Sequence, residues 1–271
     1  MNISVIIPVY NGAATIIEAI DSVIKQKIDG DITYNIEIIV VNDGSQDNTL
    51  NILARYIEEI KAKNIKVINT ENGGVSCARN IGIKAAKYEW VAFLDADDVW
   101  CENKLSIQIK HIKSIKSPVN FIGSARNHEE LYLYGKKITS LYKVKPLDLL
   151  IKIFPQTSTA LVKKEALLNC GLYDVNMTHC EDADLWIRIC SLNGGFYYHP
   201  ESTVITGGGK YNVGVSGLSS DLKKMEAGIC QMLRKTYLRG QISYFSYIFF
   251  YMFYKVKYIR RLTIVWVRRF M

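Results

Sequence analysis

The chain has 271 residues, of which 49% are hydrophobic and 22% are charged. Such a composition predicts a folded protein with a sizeable core and excludes a disordered or fibrous chain. The formal net charge is +8, yet nine basic residues and no acidic one follow Glu226, which leaves −1 for residues 1–226. The positive charge therefore lies in the last fifth of the chain, and any anionic partner attracted by this charge would bind there.

The first residues and the cysteines both favour a cytoplasmic location. Residues 3–8 form an apolar run that has no basic leader and stops at Pro8, which is typical of a buried strand rather than of a secretory signal. The six cysteines include no C-x-x-C pair, and this favours free thiols in a reducing compartment.

The first hundred residues alternate predicted strands and helices. Apolar runs predict strands at residues 3–8, 36–41, 65–68 and 90–94. Amphipathic patterns predict helices that begin near Thr15, in a capping-box pattern with Glu18, and at residues 49–61 and 75–86. This order predicts an α/β fold with a mostly parallel, Rossmann-like sheet flanked by helices, whose ligands bind beyond the carboxyl ends of the strands.

The middle of the chain is mixed and carries no linker or repeat. A helix is predicted at residues 102–115, strands at 121–125 and 155–162, and a helix at 182–192. We therefore expect residues 1–100 and residues 101–220 to form the two halves of one domain. Residues 221–271 form a basic, aromatic, helical tail.

Carboxylates follow the fourth predicted strand directly. In an extended segment Asp95 and Asp97 project to the same side, with the small Ala96 between them. Two such oxygen donors suit a hard divalent cation that also binds a diphosphate. The alternative is a solvated turn whose first acid caps the next helix.

The first two strand ends offer further groups for a nucleotide. Tyr10 presents a flat ring and Asn11 an amide after strand one, and Asp43 presents an acceptor after strand two. No glycine-rich dinucleotide or P-loop motif follows any strand, which argues against those enzyme classes. Charge compensation for a pyrophosphate would come from the cation and from Arg79, unless Arg79 forms an internal ion pair with Asp95 or Asp97.

Four segments, at residues 4–12, 41–49, 72–80 and 93–98, resemble the family two glycosyltransferases with the GT-A fold, in the order of that family. The resemblance implies a nucleotide-sugar donor bound by the half at residues 1–100, an acceptor bound by the half at residues 101–220, a Mg²⁺ or Mn²⁺ ion and inversion at the anomeric carbon. UDP is favoured by this association, and dTDP and GDP stay open. The resemblance also implies donor-binding and metal-binding roles for six residues: Pro8, Tyr10 and Asn11 for the base and ribose, Asp43 for the base, Asp95 for the ribose side and Asp97 for the metal.

Residues 179–188 resemble the Glu-Asp motif that supplies the catalytic base in this family. By that match Asp182 is the base, and Glu181 orients Asp182 or the acceptor. A helix start stabilises a carboxylate anion, so we expect Asp182 to be deprotonated at neutral pH. The alternative is a helix cap. A zinc site at residues 179–182 is disfavoured, because four consecutive side chains cannot converge on one ion.

The chain departs from the family after this motif. Lys210 and Tyr211 stand where family members close over the diphosphate or complete the metal shell, and the neighbouring glycines would let such a loop close. His199 is displaced from the usual place of a metal ligand, and we interpret it as a packed or hydrogen-bonded histidine. The metal ligands beyond Asp97 are therefore left open.

The tail has no match in the family and is interpreted from its physics. The 13 uncharged residues 242–254 are too few to span a bilayer, which takes roughly 20 residues. Five tyrosines recur on one helical face, and apolar residues then alternate with lysine and arginine: Tyr244, Tyr247, Tyr251, Tyr254, Tyr258, Ile259, Leu262, Trp266 and Phe270. This composition favours attachment to an anionic membrane surface over packing on the body or on a second subunit, and disfavours nucleic acid.

The leading hypothesis is an inverting, metal-dependent glycosyltransferase that acts on a lipid-linked or polysaccharide acceptor in cell-surface glycan synthesis, peripheral on the inner face of the cell membrane. One alternative is a non-catalytic nucleotide-sugar-binding subunit of an assembly complex, which the presence of both acidic motifs argues against. Another is a sugar-phosphate nucleotidyltransferase, but that class needs a basic, glycine-rich loop after strand one, where this chain has residues 10–14.

Overall fold

A computed structural model describes residues 1–27, 34–207 and 221–268. Its strands are β1 (Asn2–Val9), β2 (Asn35–Asp43), β3 (Ile65–Thr70), β4 (Trp90–Phe93), β5 (Val99–Trp100), β6 (Val119–Arg126), β7 (Tyr132–Leu133), β8 (Lys136–Lys137), β9 (Tyr142–Lys143), β10 (Leu161–Lys163) and β11 (Gly195–Ile205). Its helices are α1 (Ile16–Ile24), α2 (Thr49–Glu59), α3 (Val75–Ala85), α4 (Lys104–Ser114), α5 (Pro146–Ile151), α6 (Lys164–Asn169), α7 (Glu181–Cys190), α8 (Leu222–Leu238) and α9 (Tyr244–Arg268).

One sheet runs through both halves of the chain. Within the described ranges its order is β3-β2-β1-β4-β10-β6-β11-β5, and β9 pairs with β11. Strands β1 to β4 are mutually parallel, whereas β10 is antiparallel to both of its neighbours. The prediction of a mostly parallel sheet flanked by helices is therefore confirmed, and the carboxyl ends of β1, β2 and β4 meet at one edge.

Both faces of the central strands are buried, which explains their continuous apolar sequence. Alternate residues of β1 point to opposite sides, so that Ile6 joins one hydrophobic cluster and Val5 joins the other. Helix α3 lies very close to β1, because a Cβ atom at Gly82 would stand only 2.4 Å from Cγ2 of Ile6. This close approach fixes α3, and with it Arg79, beneath the end of the strands.

Two local predictions need correction. Residues 155–160 do not form a strand: Thr157–Thr159 is a 3₁₀ turn, and only Leu161–Lys163 pairs in the sheet. The side chain of Gln156 accepts the backbone N–H of Ser158 at 2.7 Å, and such local bonds compete with strand pairing. Thr15 does precede α1 as its N-cap, but its side chain forms no capping hydrogen bond.

The tail packs on the body by one face. Helix α8 buries Ile229, Met232 and Leu233 in the core. Helix α9 packs on α8 and buries Phe250 and Tyr254, which are 4% and 2% exposed, in the same hydrophobic cluster. The tyrosine stripe predicted for the tail thus lies on the inner side of α9, with Tyr244 as its exposed start. This tyrosine face of α9 therefore packs on the body of the protein, which was the alternative expectation for the tail.

The opposite side of α9 is apolar and exposed. Five residues define this outer face, with exposed fractions between 58% and 85%: Phe245, Phe249, Met252, Val256 and Ile259. Of the helices in the described part of the chain, none combines the length and the apolar character needed to cross a membrane. The side chains of Trp266 and Phe270 lie outside the described residues.

Candidate active site

The loops after β1 and β2 are joined by hydrogen bonds, and Asn11 is at the centre of this junction. Its backbone N–H donates to Ser45 Oγ at 2.9 Å, and its side-chain oxygen accepts the N–H of Gln46 at 2.8 Å. Asn11 has a φ of 52°, a left-handed conformation that asparagine tolerates better than most residues. Tyr10 beside it is 50% exposed, whereas Pro8 is buried within β1 opposite Val41. The tyrosine ring is thus accessible at the edge where the base was expected.

Asp43 connects the end of β2 to the start of α3. Its two carboxylate oxygens accept the backbone N–H groups of Gly73 and Gly74 at 2.8 and 2.9 Å. The side chain is 4% exposed and therefore acts first as a structural acceptor for this loop. Each oxygen keeps a second lone pair, so contact with a base stays a prediction.

Three aspartates at the end of β4 have different surroundings. Asp98 is buried, whereas Asp97 is exposed and has no hydrogen bond or ion pair to another of the described residues. Although Asp97 reaches solvent, the surrounding protein removes part of the water around its carboxylate, and this desolvation, followed by the charge of Asp95, raises the pKa of Asp97. Burial together with the same neighbour raises the pKa of Asp98 to about 7. The strand end therefore carries an excess of negative charge with one free carboxylate.

The 3₁₀ turn at Thr157–Thr159 supports these aspartates. Ser158 Oγ accepts the backbone N–H of Asp95 at 3.0 Å and donates to Asp98 Oδ2 at 2.5 Å. The Gln156 amide donates to the same Asp98 oxygen at 3.1 Å, and Thr157 Oγ1 donates to Asp182 Oδ2 at 3.2 Å. These supporting residues were missed by sequence reasoning, although the unusually polar run 156–159 inside an apolar context was a signal.

Arg79 is the link between the two acidic motifs. Its Nη2 lies 2.7 Å from Asp95 Oδ1 and its Nη1 lies 2.9 Å from Glu181 Oε1. The guanidinium is buried and also lies over the ring of Tyr173, 5.3 Å from its centroid. The ion-pair alternative for Arg79 is therefore present in the structure, with Asp95 and Glu181 as its partners, and Glu181 reaches Arg79.

Asp182 lies in the first turn of α7. The helix N-cap is Cys180, so the capping alternative for Asp182 is wrong, although Asp182 Oδ1 accepts the N–H of Ala183 at 2.7 Å. Desolvation, then the charge of Glu181, raises the pKa of Asp182 to about 6. We expected the helix start to stabilise the Asp182 anion and so to lower its pKa. Removal of water from the carboxylate has the larger effect and raises the pKa instead. The side chain still ionises below neutral pH and is suited to accept a proton.

The carboxylates at the end of β4 fit a hard divalent cation such as Mg²⁺ or Mn²⁺. Asp97 offers an exposed oxygen that no described side chain neutralises, and Asp95 and Asp98 lie beside it. A donor set made only of oxygens is the one that such cations prefer. Lys210 and Tyr211, expected as further contributors, lie outside the described residues.

His199 is packed, which is one of the two expected arrangements. It is fully buried, and burial lowers its pKa to about 3, which keeps the ring neutral. Neither ring nitrogen has a hydrogen-bond partner among the described residues. Residues 179–182 do not converge as metal ligands; in the described ranges only His111, His199 and Glu201 do so.

Several known proteins with related sequences carry the name glycosyltransferase. An uncharacterized glycosyltransferase of Rickettsia typhi, RT0329, is 36% identical over 214 residues, covering 73% of this chain and 61% of its own length. The minor teichoic acid biosynthesis protein GgaB of Bacillus subtilis is 33% identical over 188 residues, covering 67% of this chain and 20% of its own. The chain thus spans less than two thirds of the length of these relatives.

Two solved protein structures have the same arrangement of sheet and helices as this chain. Staphylococcus aureus TarS residues 1–349 in complex with UDP-GlcNAc align with a TM-score of 0.62 at 22% identity, covering 86% of this chain and 66% of the other. The mannosyltransferase PcManGT from Pyrobaculum calidifontis, in complex with GDP-Man and Mn²⁺, aligns with a TM-score of 0.65 at 21% identity, covering 86% and 63%. The sheet with its flanking helices is thus a GT-A fold. The model of glycosyl transferase family 2 matches residues 4–170, more than half of the sequence, and the chain therefore belongs to that family.

Proposed function

We propose that the chain is an inverting glycosyltransferase that moves a sugar from a nucleoside diphosphate donor to a hydroxyl group of a saccharide acceptor. The observation that carries this proposal is the double ion pair of Arg79 with Asp95 and Glu181. It brings the donor-side carboxylates at the end of β4 next to Asp182 on α7. A binding protein without catalysis would not need a carboxylate of raised pKa at that position.

The donor is a nucleotide sugar held at the edge formed by β1, β2 and β4. Tyr10 stacks on the base, Asn11 and Pro8 shape the pocket, and Asp43 accepts from the base. Asp95 faces the ribose. The donors in the TarS and PcManGT structures are UDP-GlcNAc and GDP-Man, which supports a nucleotide-sugar site, and we favour UDP.

Asp97 is the protein ligand of a Mn²⁺ or Mg²⁺ ion, with Asp95 and Asp98 contributing negative charge around it. When bound, the cation stabilises the developing charge of the departing diphosphate. The turn at Thr157–Thr159 fixes the backbone of Asp95 and so holds Asp97 towards the donor.

Asp182 acts as the general base. It accepts the proton of the acceptor hydroxyl while that oxygen bonds to the anomeric carbon, and the bond from this carbon to the diphosphate breaks on the opposite face. Attack opposite to the leaving group inverts the configuration. Glu181 is a positioning residue, since its carboxylate pairs with Arg79 and its backbone leads directly to Asp182.

The test compares donor binding with sugar transfer. Donor binding is measured by titration calorimetry with UDP- and GDP-sugars in the presence and absence of Mn²⁺, and transfer is measured on saccharide acceptors. We expect Asp97→Asn to abolish metal-dependent binding. Asp182→Asn should keep donor affinity and lower the transfer rate by about 10²- to 10⁴-fold.

The matched control is Glu165→Gln, which neutralises an exposed carboxylate in the first turn of α6 and should change neither property. Transfer by Asp182→Asn at the wild-type rate would remove this residue from the mechanism. Donor binding by the wild type without transfer to any acceptor would instead favour the non-catalytic binding subunit.

The acceptor is a lipid-linked saccharide or polysaccharide of the cell surface, presented at a membrane to which the outer face of α9 attaches. The likeness to GgaB supports such a glycan. Three features support this attachment. The outer face of α9 is apolar and exposed, and its inner face is held to the body by the buried Phe250 and Tyr254. Exposed Arg260 lies in a region of the sequence without acidic residues. An anionic lipid surface complements both the apolar and the basic groups.

Flotation with liposomes tests this attachment. The full chain should float with vesicles that contain anionic lipid and less with purely zwitterionic vesicles. The double variant Phe249→Ser/Val256→Ser should weaken binding by at least about tenfold, because it removes two large apolar side chains from the interface. The matched control Leu147→Ser/Val175→Ser, which changes two exposed apolar residues outside α9, should float like the wild type. Equal flotation of both double variants would contradict the role of α9.

A further inference from the structure

Helix α4 and strand β11 bring two histidines and a glutamate together. The ligand atoms of His111, His199 and Glu201 all lie within 4.8 Å of one another. His111 Nε2 lies 3.2 Å from Glu201 Oε1, and His199 Nδ1 lies 3.9 Å from the same oxygen. The two imidazole rings have centroids 5.0 Å apart and are inclined by 33°. These three residues are not among those that hold the donor or the acceptor.

The buried member of this cluster makes no hydrogen bond to another described residue. His199 is 0% exposed, and within the described ranges neither of its buried ring nitrogens has a hydrogen-bond partner. Buried polar groups in folded proteins are nearly always satisfied, so an imidazole with two unpaired nitrogens indicates a missing ligand. Its Nδ1 is directed to the same Glu201 oxygen that His111 contacts, which gives the three groups a common centre.

We propose that His111, His199 and Glu201 bind a divalent transition-metal ion of the Zn²⁺ class, separate from the cation held by Asp97. Two imidazoles and one carboxylate form the N/O donor set that Zn²⁺ takes with three protein ligands and one water. Ligand bonds of about 2.0–2.1 Å in tetrahedral geometry place the ligand atoms roughly 3.4 Å apart. The two measured distances to Glu201 Oε1, 3.2 and 3.9 Å, are close to this value.

The surroundings define what the metal does. Lys104 faces the cluster, but burial lowers the pKa of this lysine well below its usual range, and its Nζ donates to Gln108 Oε1 at 2.7 Å. The Gln108 amide in turn donates to the carbonyl of Thr159 at 2.8 Å. The metal therefore clamps α4 to β11 behind the turn that supports Asp95 and Asp98. An entry path for the ion exists because half of the Glu201 side chain is exposed.

The test measures zinc binding by the full chain after treatment with a chelator. It uses an Asp97→Asn background, which removes the proposed cation site at β4. We expect one Zn²⁺ per chain by competition with a chromophoric chelator, together with a rise in Tm on addition of zinc. Co²⁺ as a probe should give visible bands without the near-ultraviolet band of thiolate ligation, which separates this site from the six cysteines.

Two surface variants and one control decide the outcome. His111→Ala and Glu201→Gln should each weaken zinc affinity by at least about tenfold and remove the rise in Tm. His128→Ala, which changes an exposed histidine outside the cluster, should behave like the background protein. No zinc in the background protein, a thiolate band with Co²⁺, or affinity unaffected by both cluster variants would each overturn the assignment. Sugar transfer with Mn²⁺ by the cluster variants on the wild-type background reports on the proposed function independently.

Discussion

Replacement of Arg79 by methionine is the most direct perturbation of the site, because one side chain holds both acidic motifs. The guanidinium makes two charge-assisted contacts, at 2.7 Å to Asp95 and 2.9 Å to Glu181, and the side chains of Arg79 and Glu181 are only 5% and 10% exposed. Methionine fills most of the same volume but leaves both carboxylates without their cation. The substitution therefore isolates the ion pairs from the packing.

The expected cost in the free energy of unfolding is about 3–5 kcal/mol, which is typical when one partner of a buried ion pair is removed. That is a large share of the roughly 5–15 kcal/mol of a stable domain. The Arg79 charge also lowers the pKa of Asp182, so its loss should raise the apparent pKa of Asp182, the proposed base. Because unpaired carboxylates are costly only when ionised, the destabilisation should shrink as the pH falls towards 4.

Urea denaturation at pH 5 and pH 8 measures the stability change, with Lys25→Met as the matched control. Lys25 pairs with Asp21 at 3.0 Å on the surface, where the lysine side chain is 63% exposed, and an exposed pair contributes only about 0–1 kcal/mol. Equal costs for Arg79→Met and Lys25→Met would refute the reasoning. A double-mutant cycle with Glu181→Gln should then give a coupling energy that the surface pair lacks.

Three further predictions concern ionisation and packing. The wild-type kcat/KM should rise with pH through about 6 and then level off, because Asp182 must lose its proton; a profile flat from pH 5 to 8 would contradict this. In chelator, Asp98→Asn should raise Tm at pH 8 and lose that gain towards pH 4, since Asp98 with a pKa of about 7 destabilises the fold once ionised; an equal change in Tm at both pH values would contradict it. Gly82→Ala should lower stability to urea by about 1–3 kcal/mol, because its methyl group meets Ile6, and an unchanged midpoint would show that α3 can shift.

The sequence alone predicted the strands and helices of residues 1–100 well, because their signals are local. The apolar runs that become β1, β2, β3 and β4 need only their own composition to be recognised, and the polar groups after them fall at one sheet edge once the strands are parallel. The positions of Asp95 and Asp97 follow from the end of β4. The family resemblance pointed to the same residues, and the family is confirmed.

Residues 101–220 show where local signals were insufficient. The segment at residues 155–162 has the composition of a strand, yet side-chain bonds of Gln156 and Ser158 make a 3₁₀ turn that carries the aspartates. The pKa of Asp182 is raised because burial removes water from its carboxylate and because the Glu181 charge lies beside it. A helix-start motif does not show how deeply the carboxylate is buried.

Only the tertiary structure decided which distant residues meet. The pairing of Arg79 with Glu181 joins residues 102 positions apart, and the cluster of His111 with Glu201 joins residues 90 apart. In the tail, helical periodicity showed two faces on α9, but the position of α8 determined that the tyrosine face is buried and the face of Phe249 exposed. The sequence thus determined the strands and the chemistry at their ends, because these depend on neighbouring residues. The partners of each charge depend on packing across the whole fold, and only the folded chain contains that information.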